Sequence, residues 1–577
     1  MRLARASLLP LILIASGCHR DFGRSDVNRS PELVTALQQI VAGPPVLPVQ
    51  PAVWTDVRRF YEQRSAAAWV NDATKSTAVL QILRTAHAHG FAPEDYGEPQ
   101  LAERLATLQQ SGPVRPPAFG KATAPRKQDT TTVRSDAPNR LRHMAELDVR
   151  LTTALLAFGR DVAAGRTTPA ALDRRWKARR ELPDLAGTLN AAGGDLEAWI
   201  DTVRPQHPEY VALQRALIGL QAQREKGGWP DVPAGTFAPG QSNPSVIALR
   251  QRLTASGHLT GAAASNTSPE YTSEDEAAVR TFQEFHGLKG TGIPDAATRA
   301  AMNVPIDDRI RQIELNLERW RWMPNEFGAR YLLVNIPSFH LIARENGKPV
   351  MDMRVVVGKP DEHKTPVFSA QMATVVFSPY WNIPDSIVAG ETAPAMARDS
   401  AYLEKNNIEV LNVSGSGAKP VDYSSVDWDD ASQLRRLAFR QRPGPGNALG
   451  RVKFLFPNAF DVYLHDTPAH ALFARPGRAL SHGCVRIEDP EALARYVLRG
   501  YPEWDDTQIL QAMNAGVEKH VKLKEKIPVH IVYFTAWVDE SGGLHFHPDV
   551  YSYDAVQAAQ GQAVAALPRV PNQLRLS

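Results

Sequence analysis

The chain has 577 residues, 43% hydrophobic and 22% charged, which is an ordinary globular composition. A single hydrophobic core stops growing near roughly 250–300 residues, so the length alone divides the chain into three or four units. With 65 basic against 62 acidic residues the net charge is +3, so no bulk positive field argues for nucleic acid, and no nucleic-acid partner is expected. Only two cysteines occur, Cys18 and Cys484. A sequence this poor in cysteine either avoids disulfides or uses its thiols for chemistry.

Arg2 and Arg5 precede an apolar run over residues 6–15. A membrane-spanning helix needs about 20 apolar residues, so the run reads as the core of an export signal. It ends in Ile14-Ala15-Ser16-Gly17-Cys18, which resembles the lipobox of bacterial lipoproteins, with Ala15 where that pattern usually has Leu. The resemblance implies that residues 1–18 are a lipoprotein-type signal peptide and that Cys18 is lipidated, anchoring the chain to a membrane. An ordinary signal peptide cleaved nearby is the plainer alternative. Lipidation of Cys18 would leave Cys484 as the free thiol. His19 after the cysteine, rather than Asp, implies the outer membrane, with the protein in the periplasm. Residues 19–50 are polar with scattered prolines and predict a tether.

Helical spacing dominates residues 51–240, as in Val53, Val57, Phe60 and Tyr61, or Leu147, Leu151, Leu155 and Phe158. Residues 111–139, rich in Pro, Thr, Ser and charge, interrupt it and predict a disordered loop. Residues 243–303 predict a small helical unit, with Val246, Leu249 and Leu253 on one helix and Ala278, Val279, Phe282 and Phe285 on another. Gly287-Leu288, Gly290-Thr291-Gly292, Asp295 and Thr298 then supply turns and a helix start. Ile306, Ile310, Ile313, Leu317 and Trp320 mark an amphipathic connector helix within 304–326. From residue 328 to 540 the period changes to two, in short runs at 331–336, 339–344, 351–357, 373–377, 452–456, 460–465 and 529–537. Residues 396–447 read as an insertion into this β-rich unit, and 541–577 as a C-terminal tail. His545 and His547 share a strand face, but no third ligand has a suitable spacing, so they read as surface and no metal is expected.

Two segments carry chemistry. In residues 460–467, FDVYLHDT, alternation turns Phe460, Val462 and Leu464 to one face and Asp461, Tyr463 and His465 to the other. In residues 481–487, SHGCVRI, Val485 and Ile487 are candidates for burial while Cys484 and Arg486 share the opposite face. Asp489-Pro490 then opens a helix. Acyl transfer needs a nucleophile, a base and donors for an oxyanion. An imidazole within reach activates a thiol that is otherwise mostly protonated at neutral pH. Gly483 would let a substrate carbonyl approach the backbone amides beside Cys484. His482, two residues before Cys484 on an extended chain, shares its face but has poor reach, and ranks behind His465 as the base.

SHGCVR with an upstream His-Asp-Thr resembles the signature of the L,D-transpeptidases, the YkuD-type catalytic domain. Residues 379–384 (PYWNIP), 443–450 (PGPGNALG), and Gly358 with Thr365-Pro366 also look like segments of that family. Residues 243–303 resemble its small peptidoglycan-binding domain, and the whole arrangement resembles the large, scaffold-bearing periplasmic subgroup. The resemblance implies a multidomain α+β fold: a helical N-terminal scaffold, the small helical domain, and a β-rich catalytic domain at 328–540 with an inserted capping subdomain over the substrate. It implies Cys484 as nucleophile, His465 as proton donor and acceptor, and Gly483 in the oxyanion-hole region. Ser481, His482, Arg486, Tyr463, Trp381 and Asn382 are the expected substrate-binding residues. The implied reaction needs no cofactor: the cysteine takes an acyl group from a donor tetrapeptide of peptidoglycan, releases the terminal D-Ala, and passes the group to the diaminopimelate amine of an acceptor stem, giving a 3→3 crosslink. The sequence leaves two other readings, a non-catalytic wall-binding lipoprotein scaffold and an L,D-carboxypeptidase or endopeptidase using the same cysteine. It names no protein partner. Trp320 and Trp322 are as consistent with core packing as with a sugar platform.

Overall fold

In the computed structural model, residues 31–64, 66–110, 136–177, 180–412 and 418–565 are described. The expected signal segment with Cys18, and residues 111–135 of the expected loop, lie outside them; residues 136–139 open the helix Asp136–Ala164. That helix is the axis of the N-terminal unit and buries Leu147, Leu151, Leu155 and Phe158. Its buried Asp148 accepts the amides of Ala68 (2.9 Å), Trp69 (2.7 Å) and Val70 (3.0 Å) and the Tyr61 hydroxyl (2.6 Å), so one carboxylate fixes the loop that crosses it. The tether expected at 19–50 is corrected over its second half. Helix Pro31–Ala42 begins on a proline, and its Leu33 and Leu37, four apart on one stripe, are buried in the same core.

The small unit packs helices Ser245–Ala255, Ser273–Phe285 and Ala296–Met302 around Val246, Leu249, Val279 and Phe282. Thr272 and Asp275 form a capping box at the middle helix. Arg250 reaches Asp275 at 2.6 Å with both side chains buried, so the cap also ties two helices together.

The connector helix Ile306–Trp322 is enclosed on nearly every side in its last two turns, and not only along one stripe, because neighbours cover its polar face too. Glu318 accepts the amides of Arg166 (2.5 Å) and Thr167 (2.7 Å) from the scaffold, and Arg319 pairs with Asp554 at 2.6 Å. Trp320 and Trp322 are buried in the core, which is the packing reading of these residues. The helix Pro208–Glu225, expected in the scaffold, puts Tyr210, Leu213 and Leu217 into the core of the catalytic unit through this connector.

The catalytic unit is built on strands β1 (Arg330–Asn335), β2 (His340–Glu345), β3 (Lys348–Gly358), β4 (Phe368–Phe377), β9 (Val452–Leu455), β10 (Leu464–His465), β11 (Ala479–Ser481), β12 (Val485–Ile487) and β13 (Lys519–Val532). Between β4 and β9 come β5 (Trp381–Asn382), β6 (Ile408–Asn412), β7 (Lys419–Pro420) and β8 (Leu437–Gln441). The nine-stranded sheet runs β11-β3-β12-β10-β9-β4-β13-β1-β2, and a further β2–β3 pairing curls it back on itself. β5 to β8 form a separate four-stranded sheet, order β5-β8-β6-β7. Its own core, from Ile383 through Met396 and Leu403 to Phe439, shows that the inserted unit begins near β5, ahead of the expected 396. The short helical turns at 385–398 gave no long period to reveal this.

The tail expected at 541–577 is also corrected. β14 (Ala536–Val538) and β15 (Leu544–Phe546) form a hairpin, and helix Tyr553–Ala565 packs on the connector through the Arg319–Asp554 pair. His545, read as surface, pairs with Asp539 at 2.7 Å and stacks on Phe285 of the small unit, with ring centroids 4.0 Å apart. An aromatic face and a carboxylate enclose it.

Candidate active site

β10 and β12 are parallel neighbours at the centre of the sheet, with His465 opposite Arg486 and Leu464 opposite Val485. On β10's other side, His465 faces Lys453 of β9. Lys453, His465 and Arg486 therefore form a row across three strands. Cys484 lies on the bend that leads directly into β12. The strand expected at 460–465 is corrected: only Leu464 and His465 pair, because Asp461 adopts a left-handed backbone at φ 53°. The turn carries the Asp461 carbonyl to 3.7 Å from Cys484 Sγ. A non-glycine residue held in that region is a strain the surrounding structure must support.

The electrostatics of the pair follow from these neighbours. His465 is 5% exposed. Burial, then the positive charges of Arg486 and Lys453, hold its imidazolium down to a pKa of about 3, against a smaller opposing effect of its bond to Asp466. Its Nδ1 lies 2.6 Å from the Asp466 carbonyl, which assigns the ring proton to Nδ1 and leaves the Nε2 lone pair free. Burial pushes the Cys484 thiol up, while hydrogen bonds from Tyr463 and the charge of Arg486 pull it back. The resting pair is thus a neutral thiol and a neutral imidazole. Tyr463 touches both, bonding to the sulfur and lying with its ring centroid 5.6 Å from that of His465. Arg486 is half-buried, its charge acts on Cys484, and its Nε has no hydrogen-bond partner among the described residues.

The loop that presents Cys484 is held from below. Ser481 Oγ donates to the Cys484 carbonyl (2.6 Å) and accepts the Gly483 amide (3.1 Å). The amide of Gly483 is therefore already committed to Ser481, and that of Val485 to the Tyr463 carbonyl (3.2 Å). Gly483 sits at φ 117°, and a Cβ there would meet nothing closer than 3.6 Å, so backbone conformation rather than space requires glycine. Thr365 Oγ1 donates to the Gly483 carbonyl (2.7 Å) and accepts the Gly358 amide (2.8 Å). A Cβ on Gly358 would lie 2.0 Å from the His363 carbonyl oxygen, so there close approach is the requirement. Tyr551, from the segment expected to be a tail, donates to the Gly358 carbonyl (2.8 Å) and accepts the Thr365 amide (3.0 Å). Sequence reasoning missed Tyr551. Its only signal is a run of aromatics, Tyr551 and Tyr553, inside a supposedly unstructured end.

His482 turns away from the thiol toward the inserted unit, where its Nε2 lies 3.0 Å from Glu391. Its ring meets that of His363 edge-on at 4.7 Å. Trp381 and Asn382 pair with Gln441 and Arg440 in the inserted sheet. Trp381 packs on that unit's own core, and among the described residues neither makes a hydrogen bond or ring contact with the 481–486 loop.

Residues 329–507 match the L,D-transpeptidase catalytic domain (YkuD), residues 55–217 a scaffold domain, and residues 242–302 the family described as "Putative peptidoglycan binding domain". Each of the three units is thus similar to a separate domain family, in the order scaffold, small helical domain, catalytic domain. It is similar to a "Putative L,D-transpeptidase" of Haemophilus influenzae, 33% identical over 244 residues, covering 42% of this chain and 48% of that protein. The chain therefore spans about half the length of the curated relative it matches. Two solved L,D-transpeptidases align over 52% of the chain: one from Xylanimonas cellulosilytica (14% identity, 99% of that chain, TM-score 0.18) and one from Stackebrandtia nassauensis (13%, 96%, TM-score 0.21).

Proposed function

We propose that this protein is a cysteine-dependent L,D-transpeptidase that forms 3→3 crosslinks in peptidoglycan. The observation that supports this reading best is that Cys484, on a glycine turn, leads into the strand paired with that of a buried imidazole, which stays neutral with its Nε2 lone pair free. At rest the thiol points to the Asp461 carbonyl. Rotation about its Cα–Cβ bond brings the sulfur toward His465, which takes the proton as sulfur attacks the carbonyl of the donor's diaminopimelate residue. The amide C–N bond then breaks, and His465 returns the proton to the leaving D-Ala amine. The orphaned Nε of Arg486 supplies a charge for the D-Ala carboxylate. An acceptor amine attacks the thioester; its proton passes through His465 to the departing Cys484 sulfur. The peptidoglycan-binding unit would keep the wall near the site, and lipidation of Cys18 would anchor the protein in the periplasm, at the outer membrane. Fatty-acid labelling abolished by Cys18→Ala is the expected result, and label surviving that substitution would refute the anchor.

Incubation of purified protein with disaccharide-tetrapeptide tests the reaction. Free D-Ala and a 3→3 dimer are expected, both abolished by Cys484→Ala. D-Ala without dimer would point to a carboxypeptidase. Wall binding with neither product, unaffected by Cys484→Ala, would leave the non-catalytic scaffold.

A further inference from the structure

Around Cys484 the fixed charges of the sheet are mixed. Lys453 and Arg486 flank His465 and the charge of Lys359 acts on His482, while the Asp461 carboxylate acts on the thiol and Glu518 lies 3.7 Å from Lys453. Arg486, with its orphaned Nε, suits a carboxylate-bearing donor. The acceptor in the proposed reaction is an amine, cationic at neutral pH. The nucleophile loop meets one carboxylate that comes from a different unit. Glu391 lies 3.0 Å from His482 Nε2 and arrives from the inserted unit, not from the catalytic sheet.

The backbone delivers Glu391 by design of the segment. Val388–Thr392 is a turn of π-helix set between the helical turns Asp385–Ile387 and Ala393–Arg398. Such wide turns recur at functional sites because they displace one residue from the regular helical face. Val388, Thr392 and Ala393 are buried in the inserted unit's core, while Gly390 and Glu391 are exposed. The Glu391 side chain keeps 55% of its surface open even with His482 against it. Its charge also reaches Arg486. It is anchored by its backbone, aimed at the nucleophile loop, and accessible to a second charged group.

We propose that Glu391 is a specificity residue for the acceptor: it receives the ammonium of the incoming amine and holds it over the Cys484 thioester. This rests on the transpeptidase reading above. The ammonium gives one proton to solvent to become the attacking amine. As the C–N bond forms and the C–S bond breaks, the second proton moves through His465 to sulfur. Water needs no such carboxylate, so Glu391 sets the partition between crosslinking and hydrolysis.

The test follows the full chain through both half-reactions with disaccharide-tetrapeptide. Glu391→Gln keeps an acceptor for His482 and removes only the charge. Thioester formation, read by intact mass, is expected within about twofold of wild type. The ratio of dimer to hydrolysed tripeptide should fall about fivefold at limiting acceptor, the scale of one half-exposed ion pair, and recover at saturating acceptor. Glu391→Lys should lower the ratio further. An unchanged ratio, or thioester formation falling in step with the dimer, overturns the proposal; the latter would make Glu391 a support for the His482 loop. A wild-type chain that forms no thioester removes the transpeptidase reading and this inference with it. One that forms thioester but only hydrolyses it removes crosslinking and this inference together and leaves acylation of Cys484 standing, whereas a chain that crosslinks with a ratio unmoved by Glu391→Gln removes this inference alone.

Discussion

His465 is the residue whose environment makes the most specific claim. A folded-state pKa of about 3, against an ordinary 6.5, means that the folded site disfavours the imidazolium. The stability this neutral form contributes is present above the unfolded value and is lost as pH falls from about 6.5 toward 3. In the proposed reaction the consequence is a base that stays competent in mild acid. The rate of thioester formation, followed by stopped-flow mass analysis, should be nearly flat between about pH 5 and pH 8 on the histidine's account. An acid limb centred near pH 6.5 would contradict the burial argument. His465→Gln should lower that rate by about a hundredfold or more, the contribution typical of a positioned base. The sequence made Cys484 and His465 visible through the SHGC motif and the alternation of faces around it. It could not show that Lys453, from a strand with no motif, sits across from His465, because register across β9 and β10 is a property of the assembled sheet. Nor did it show the left-handed turn at Asp461, where a residue with ordinary strand neighbours is bent by its surroundings.

At the scale of elements, the segment after β13 is where pattern reading failed. A three-residue strand pair and one alanine-rich helix carry too little periodicity to distinguish structure from a tail. Yet this segment delivers Tyr551, which holds Gly358 and Thr365, and through Thr365 the Gly483 carbonyl. Tyr551→Phe keeps the ring stacked on Tyr533 and removes only the hydroxyl. It is expected to slow thioester formation about tenfold and to lower the melting temperature, because the buried Thr365 amide and Gly358 carbonyl both lose their partner. An unchanged rate would sever the segment from the site. The connector helix offers a second prediction. Burial pushes the Glu314 carboxyl up from 4.5 to about 7, opposed only in part by Arg311, Arg224 and Arg321. The folded state then binds this proton more tightly than the unfolded chain, so stability is lost as pH rises from about 4.5 to about 7. Glu314→Gln should therefore melt higher than wild type at pH 8 and alike at pH 4, by scanning calorimetry. Equal melting at both would show that the carboxyl is not held in this state.

At the scale of the molecule, the order of units was legible because each has its own hydrophobic period: 3.6 residues in the scaffold and small unit, two in the catalytic sheet. Their seams were not legible. The helix Pro208–Glu225 belongs to the scaffold by chain order and to the catalytic core by packing. Glu318 and Arg319, adjacent on the connector, bind the scaffold and the C-terminal helix respectively. Truncation after residue 540 removes both Tyr551 and Asp554, and should yield a chain with a lowered melting temperature and no thioester formation. A fully active truncated chain would contradict this coupling. The central claim is that Cys484 carries the acyl group. Intact mass of the full chain after exposure to disaccharide-tetrapeptide tests it most directly. The account predicts an adduct with the mass of the donor less its terminal D-Ala, reversed by a thiol nucleophile and absent from Cys484→Ala. An adduct that persists in Cys484→Ala, or D-Ala release by that variant at the wild-type rate, would contradict it.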